Sequence, residues 1–358
     1  MSYCMSNLFH SPTRKMLVFL LLLAATPAFA QQIEWNVGTL GFFDNSEGDH
    51  TYRITQTYAG TSFTPEVGVS FDDGKHRLMG GINLITRWGA NEKALSEKLV
   101  LYYQYQNPTF HFLLGNFQRD KLLGEYSDYL IADTIRYYRP IIQGMAAQYI
   151  GEHGHFEAFL DWTSAISRES REQFMAGLST KIHFSHLLLG AEGYYYHYAL
   201  RHGGPETEHI HDYLIAHPFV GLSFEHPSAP ASLEVRAGML ASFDRERALE
   251  NGSHIHAGFL GEVRASWKRL ELKQDIYAGA NLQPFGNAHF GQYYWGDTFT
   301  QASFYSRTDL RYRFIQHRFA NVYGGIIVSA TRFGVHHHQV ITLSLDLGSK
   351  HFKPIKFK

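Results

Sequence analysis

Apolar and polar residues alternate along most of the chain beyond about residue 30, most clearly in its C-terminal third. Within residues 253–267, for example, Phe259 and Val263 alternate with Glu262 and Arg264. Strict alternation puts apolar side chains on one face of a β-strand and polar side chains on the other. The same pattern recurs in residues 231–241, 269–280, 304–314 and 341–347. The sequence therefore predicts an all-β protein.

The lengths of the runs and their connections favour a transmembrane antiparallel β-barrel over a soluble sandwich. The runs span about ten residues or more, which suits tilted membrane strands, whereas soluble strands average about five or six. Short connections (such as 72–75 and 152–154) alternate with long ones (such as 119–140, 164–172 and 331–336). Outer-membrane barrels have short periplasmic turns and long external loops. We predict about sixteen strands; eighteen is the alternative, if residues 33–60 form three strands rather than one.

Composition agrees with a strand-built membrane protein. Charged residues make up 18% of the chain and aromatic residues 15%, against about 25% charged residues in soluble domains. Tryptophans fall near predicted strand ends, where outer-membrane barrels carry aromatic girdles: Trp35, Trp88, Trp162 and Trp267. The net charge of −1 shows no basic excess of the kind that nucleic-acid binding requires.

Residues 1–30 have the pattern of a cleaved secretory signal peptide. Arg14 and Lys15 precede the apolar run 16–25, and Ala28-Phe29-Ala30 provides small residues before the predicted cleavage site. We expect residues 31–358 to form a single barrel domain, exported to the bacterial outer membrane. The single cysteine, Cys4, lies in the predicted leader, so we expect no disulfide and no thiolate site in the mature chain.

Polar faces of the predicted strands should line the lumen, and they carry charges of both signs. These charges either pair across strands and brace the wall, or line a path for charged solutes. Three arginines, 307, 311 and 313, share one face and suit an anion path. The candidate lumen residues are Arg236, Glu262, Arg264, Lys273, Arg307, Asp309, Arg311 and Arg313.

Two long loops are candidates for special roles. Residues 119–140 either fold into the lumen as a constriction or cap the rim, with candidate residues Arg119, Lys121, Asp133, Arg136 and Arg139. Residues 282–303 contain Tyr293, Tyr294 and Trp295, whose rings either stack on sugars or hold the loop together.

Histidine is unusually frequent, with 22 residues, and several histidines are two positions apart. This spacing puts both rings on one face of a strand. The strand parity places all three pairs near the external mouth: His209 with His211, His254 with His256, and His336 with His338. Such pairs either bind zinc or copper or are polar rim residues.

The whole predicted domain resembles an outer-membrane porin, on its leader, alternating strands, aromatic ends and loop parity. Residues 65–70 and 138–140 are similar to uncharacterised Bacteroidetes-type barrels. The resemblance implies passive diffusion of small hydrophilic solutes, no cofactor, insertion into outer-membrane lipid by the barrel-assembly machinery, and a homotrimer. The ten residues after the predicted last strand depart from the usual ending on an aromatic residue.

Two other functions stay open: a surface barrel that displays adhesin-like or lectin-like loops, and a barrel hydrolase. Ser303, Ser306 and Ser329 are available, but none lies in a recognisable nucleophile motif. We therefore expect a porin-like channel and not an enzyme.

Overall fold

A computed structural model describes residues 32–48, 55–89, 95–224, 230–250, 252–286 and 292–351. The predicted signal peptide lies outside the described residues. Within these ranges the chain forms a closed antiparallel barrel of sixteen strands, in which neighbours in sequence are neighbours in the sheet. No helix in the described ranges is long and apolar enough to cross a membrane.

The strands are β1 (Gln32–Gly48), β2 (Gln56–Phe71), β3 (His76–Arg87), β4 (Leu95–Gln106), β5 (Phe110–Gln118), β6 (Ile141–Gly151), β7 (Gly154–Ser164), β8 (Gln173–Phe184), β9 (Leu187–Tyr198), β10 (His211–Phe224), β11 (Ala231–Glu246), β12 (Ser253–Trp267), β13 (Leu270–Gly279), β14 (Phe304–His317), β15 (Ala320–Thr331) and β16 (Gly334–Gly348).

The barrel closes where β1 pairs antiparallel with β16. In this register Ser46 lies opposite His338, and Gly48 lies opposite His336. Residues 33–60, for which the number of strands was left open, contain one long strand, β1, and the start of β2 at Gln56. This arrangement confirms sixteen strands.

The two faces of the wall have the predicted character. Outward-facing apolar side chains are exposed, for instance Ile255 (76%) and Phe259 (56%) on β12. The inward neighbours Glu262 and Arg236 are buried. Because alternation sorts apolar groups to the lipid side and charges to the lumen, the barrel is of the outer-membrane type.

The prediction of a long external loop between the last two strands is wrong. Residues 331–336 were expected to form an external loop, but β15 and β16 pair up to Thr331 and Gly334. Only Arg332 and Phe333 lie between the two strands. The β15–β16 hairpin therefore ends in a tight turn, at the end of the barrel where other connections are long.

Two long connections fold inward. The first inserted loop (residues 119–140) follows β5 and contains a 3₁₀ turn, Arg119–Lys121, and a short helix, α1 (Asp133–Tyr138). The second inserted loop, described at residues 280–286 and 292–303, follows β13 and contains a 3₁₀ turn, Thr298–Gln301. Backbone hydrogen bonds join the loops to each other: Ala132 N–H donates to the Trp295 carbonyl at 2.8 Å, and Asp297 N–H to the Asp128 carbonyl at 2.8 Å.

An aromatic cluster fixes the second inserted loop to the wall. Tyr293, Tyr294 and Trp295 are completely buried. Tyr294 packs edge-on against Tyr213 of β10 with ring centres 4.7 Å apart, and the Tyr194 hydroxyl accepts from Trp295 N–H at 3.0 Å. These rings serve to hold the loop in the lumen, which leaves them no free face for a sugar.

Candidate active site at the barrel mouth

The predicted lumen charges on β11 and β12 converge on the first inserted loop. Glu125 of that loop accepts from Arg236 at 2.9 Å and from Arg264, and Lys181 of β8 lies 3.3 Å away. Burial acts to raise the pKa of Glu125, but Arg264, Arg236 and Lys181 outweigh it and hold the pKa well below its usual range. Glu262 pairs in turn with Arg264 at 2.7 Å.

The remaining lumen candidates are paired as well. Arg307 is buried and contacts three loop carboxylates, Asp128 (3.2 Å), Asp133 (3.1 Å) and Asp297 (3.2 Å). Burial acts to raise the pKa of Asp128, but Arg307 and Lys273 lower it well below the usual value. The other pairs are Lys273 with Asp128, Arg311 with Asp309, and Arg313 with Glu271. The three arginines of the predicted anion path are therefore each matched by a carboxylate.

The candidates on residues 119–140 also make internal contacts. Arg119 pairs with Asp161 of β7 at 2.5 Å, and Arg136 donates to the backbone carbonyls of Glu125 and Tyr126. Arg139 lies over the Trp295 ring, 5.2 Å from its centre. Lys121 lies over the Tyr102 ring at 5.2 Å.

The three histidine pairs lie at the mouth, but two of them make unremarkable contacts. His211 stacks on Tyr293 with ring centres 5.6 Å apart, and His209 lies 3.8 Å from Glu246. His254 and His256 have ring centres 6.3 Å apart. Among the described residues no group of three or more His, Cys, Asp or Glu side chains is placed to hold a metal ion.

The third pair differs, because its rings face two polar residues across the β1–β16 seam. The Ser46 oxygen lies 2.6 Å from His336 Nε2, and Asp44 Oδ1 lies 2.8 Å from His338 Nδ1. All four side chains are buried. We call Asp44, Ser46, His336 and His338 the seam site.

Local structure explains how the seam site is held. Asp44 and Ser46 are two residues apart on β1, and His336 and His338 are two apart on β16, so all four point into the lumen. Gly48 is opposite His336 and has a φ of +143°, at which a Cβ would lie 2.9 Å from His336 Nδ1. A side chain there would displace the imidazole, so the seam site requires glycine at this position.

The geometry suits nucleophilic chemistry. A serine within hydrogen-bond reach of an imidazole is the arrangement that activates a hydroxyl. Asp44, which accepts from His338 Nδ1, fixes the tautomer of that ring and leaves the lone pair on Nε2. In the described structure His338 Nε2 is buried and has no hydrogen-bond partner. The seam site therefore holds two imidazoles that can act as bases, of which His336 contacts Ser46 directly.

Sequence reasoning named the two histidines but not Asp44 or Ser46. Of the serines named, Ser329 on β15 lies opposite His336 in the sheet. Its buried hydroxyl has no hydrogen-bond partner among the described residues. The signal that could have identified Ser46 is the inward parity of Asp44 and Ser46 at the outer end of the first strand.

Comparison with solved structures gave matches at low sequence identity. OmpT of Vibrio cholerae has a TM-score of 0.52 and 11% identity, covering 90% of this chain and 99% of that chain. OpdK of Pseudomonas aeruginosa has a TM-score of 0.49 and 9% identity, covering 88% of this chain and 98% of that chain. A search of curated proteins gave no match. The likeness to OmpT shows the barrel fold.

A comparison with protein-family models indicates a class of activity, which the fold alone does not. Residues 25–338 match the family described as Lipid A 3'-O-deacylase-type. A deacylase family is an enzyme family, so the expectation that the protein is not an enzyme is wrong. Because the match spans nearly all of the barrel, the chain belongs to the Lipid A 3'-O-deacylase-type family.

Proposed function

We propose that the protein is an outer-membrane ester hydrolase that removes an ester-linked acyl chain from lipid A or a similar acylated glycolipid. The observation that carries the proposal is the 2.6 Å contact between the Ser46 hydroxyl and His336 Nε2. Membership in the deacylase-type family supports the reaction class and the substrate class.

In the proposed mechanism Ser46 is the nucleophile and His336 the general base. In the tautomer with its lone pair on Nε2, His336 takes the proton from Ser46 as the oxygen attacks the ester carbonyl carbon. The carbon–oxygen bond to the sugar then breaks, and the sugar oxygen takes that proton from His336. A water deprotonated by an imidazole hydrolyses the acyl-serine, which releases the fatty acid and restores Ser46.

His338 is suited to the second half of this cycle. Its Nδ1–H donates to Asp44 at 2.8 Å, and its Nε2 faces a buried site with no partner among the described residues. An imidazole oriented by a carboxylate is a good base for a water. His336 would thus serve acylation, and His338 would serve attack by water.

On the β16 side, the seam site lies close to the external end of the barrel. His336 and His338 lie within five residues of the start of β16. The turn before them is Arg332-Phe333, with the Arg332 guanidinium 4.4 Å above the Phe333 ring. Among the described residues this short turn is the connection next to the two histidines, and we expect an acylated headgroup in the external leaflet to enter past it.

The test is hydrolysis of purified lipid A by the refolded full chain in detergent micelles, followed by mass spectrometry of the lipid and the released fatty acid. We expect loss of one ester-linked acyl chain. Ser46→Ala should abolish the reaction, while Ser329→Ala, which removes a neighbouring serine opposite His336, should retain it.

Opposite results with the two serine variants would assign the nucleophile to Ser329. No hydrolysis by the wild-type chain on lipid A or on a simple acyl-ester probe would reject the hydrolase proposal. The earlier prediction, passive diffusion of hydrophilic solutes, would then be the remaining alternative, and single-channel conductance tests it.

Because the two inserted loops and their ion pairs fill the centre of the lumen, we expect little or no conductance.

A further inference from the structure

Arg87 differs from the other inward-facing arginines of the strands. In the ranges that the structure covers, each of the others contacts a carboxylate: Arg77, Arg236, Arg264, Arg307, Arg311 and Arg313. Arg87 faces inward at the external end of β3, where it is exposed and makes no ion pair with a described residue. It therefore presents an unmatched guanidinium, a group of hydrogen-bond donors with a permanent positive charge, at the barrel mouth.

Local packing holds this guanidinium in place. Its central carbon lies 4.4 Å from the centre of the Tyr138 ring, at the end of α1, which is a favourable cation–π contact. Tyr138 also packs edge-on against Phe42 of β1, with ring centres 5.6 Å apart. In the sheet, Gly60 of β2 lies between Phe42 and Arg87, so no side chain of β2 separates them. The first inserted loop therefore orients Arg87 without covering it.

Arg87 lies on the same side of the mouth as the seam site. Asp44 is opposite Tyr58 of β2, and the rings of Tyr58 and Tyr138 have centres 6.2 Å apart. Two strand spacings, about 10 Å, separate β1 from β3. A glycolipid whose ester reaches Ser46 would therefore bring other groups of its headgroup close to Arg87.

The inward charges on this side of the mouth favour an anion. Lys98 of β4 lies opposite Asn83, is exposed, and makes no ion pair in the part of the chain that the structure describes. Among the described inward positions at the external ends of β1 to β4, Asp44 is the one carboxylate, and it accepts from His338 at 2.8 Å. Unmatched cations beside an occupied carboxylate attract a negatively charged group.

We propose that Arg87 binds a phosphoryl group of the substrate headgroup and thereby makes the seam site selective for phosphorylated glycolipids. The inference rests on the proposed ester hydrolysis and names a feature of its substrate. Arginine forms paired hydrogen bonds to phosphate oxygens, and the Tyr138 ring holds the guanidinium in position for them. Lys98 adds positive charge on the same side of the mouth. Arg87 is a binding residue, since it contacts the headgroup and not the ester.

Binding of two matched lipids tests the site without hydrolysis. The lipids are purified lipid A and the same lipid A after phosphatase treatment, each added to the full Ser46→Ala chain in detergent micelles. Native mass spectrometry measures the fraction of the chain that carries lipid. Adding Arg87→Gln should weaken binding of lipid A about tenfold, the expected effect of losing a charge-assisted hydrogen bond. Binding of the dephosphorylated lipid should not change.

Arg318→Gln is the matched control, because Arg318 is also exposed and lies over an aromatic ring, Phe319, but at the opposite end of the barrel. It should bind both lipids like the parent chain. Arg87→Lys keeps the charge without the paired donors and should recover part of the affinity for lipid A. If Arg87→Gln does not refold, Lys98→Gln replaces it and should weaken binding of lipid A alone. Equal binding of the two lipids by the parent chain, or an equal loss of both in the variant, would overturn the proposal.

Hydrolysis by the wild-type chain, measured in parallel on both lipids, separates this inference from the proposed function. Equal rates on the two lipids would support the hydrolase and overturn phosphate recognition. Phosphate-dependent binding through Arg87 without any hydrolysis would support the phosphate site and reject the hydrolase.

Discussion

The seam site and the centre of the lumen are both buried and polar, but they use polar groups differently. In the centre, carboxylates of the inserted loops meet guanidinium groups of the wall, as Arg307 meets Asp128, Asp133 and Asp297. At the seam, the His336 imidazole contacts the Ser46 hydroxyl at 2.6 Å. Matched ion pairs hold one geometry, whereas a neutral imidazole can accept and return a proton. We therefore infer that the ion pairs of the centre stabilise the barrel and its inserted loops, and that the seam site carries out the reaction.

The largest expected effect is on the seam. His336→Gln keeps a polar side chain but removes the base next to Ser46, so kcat for ester hydrolysis should fall by about 10²–10⁴-fold. The measurement is a continuous assay with a soluble acyl-ester probe. His254→Gln, which changes another histidine at the mouth, is the matched control and should keep the wild-type rate.

A small loss in His336→Gln would move the role of base to His338. That outcome is recognisable because His338→Gln would then abolish the reaction. If His338 instead activates the water, His338→Gln should accumulate acylated Ser46, which intact-protein mass spectrometry detects as an added acyl mass.

The second effect concerns stability at the centre. Arg307→Met removes the cation shared by the buried carboxylates of Asp128 and Asp297 and the half-buried Asp133, which should cost about 3–5 kcal/mol of unfolding free energy. Urea titration followed by circular dichroism measures this. Arg318→Met, at an exposed turn arginine, should cost almost nothing. Equal stability of the two variants would contradict a bracing role for the ion pairs.

Much of the fold could be predicted because a barrel strand has a period of two. Alternation alone put Glu262 and Arg264 on the inner face, where the structure has both, with Arg264 in contact with Glu125 of the first inserted loop. The tight turn after Thr331 was missed because polar residues continue into β16, where His336 and His338 point inward rather than forming a loop. Inward polar residues of a strand and polar residues of a loop look alike in sequence.

The seam site could be predicted only in part. Closure of a barrel requires the first and last strands to pair, so β1 had to meet β16. The register that brings Ser46 next to His336, 290 residues away, depends on where each strand begins. The parity of residues 33–60 was unsettled, so the partner of the histidine pair could not be identified. The inserted loops were foreseen as one alternative, but their ion-pair partners depend on contacts far apart in sequence.

A third, smaller effect separates the two histidines of the seam. Asp44→Asn keeps a hydrogen-bond acceptor for His338 Nδ1–H but removes the charge that stabilises the ring when it is protonated. Loss of such an orienting partner typically costs about 10–100-fold. We expect kcat to fall by about this factor while KM changes little. A fall as large as that of His336→Gln would mean that Asp44 acts on the acylation step.

The smallest expected effect is the pH dependence of the stability that the Glu125 ion pairs contribute at the centre of the lumen. Because the folded pKa of Glu125 is held below its usual value by Arg264, Arg236 and Lys181, its ion pairs are fully present above the unfolded pKa of about 4.3. Their contribution is lost as pH falls from there through the lower folded value. The Glu125 side chain is 37% exposed, so solvent screening limits the contribution to about 1 kcal/mol. Thermal unfolding should therefore show a Tm difference between the wild type and Glu125→Gln that is constant from pH 7 to pH 5 and shrinks below pH 4. A Tm difference that grows on acidification would mean that the charged Glu125 carboxylate destabilises the folded barrel. The ion pairs of the centre would then not brace the wall.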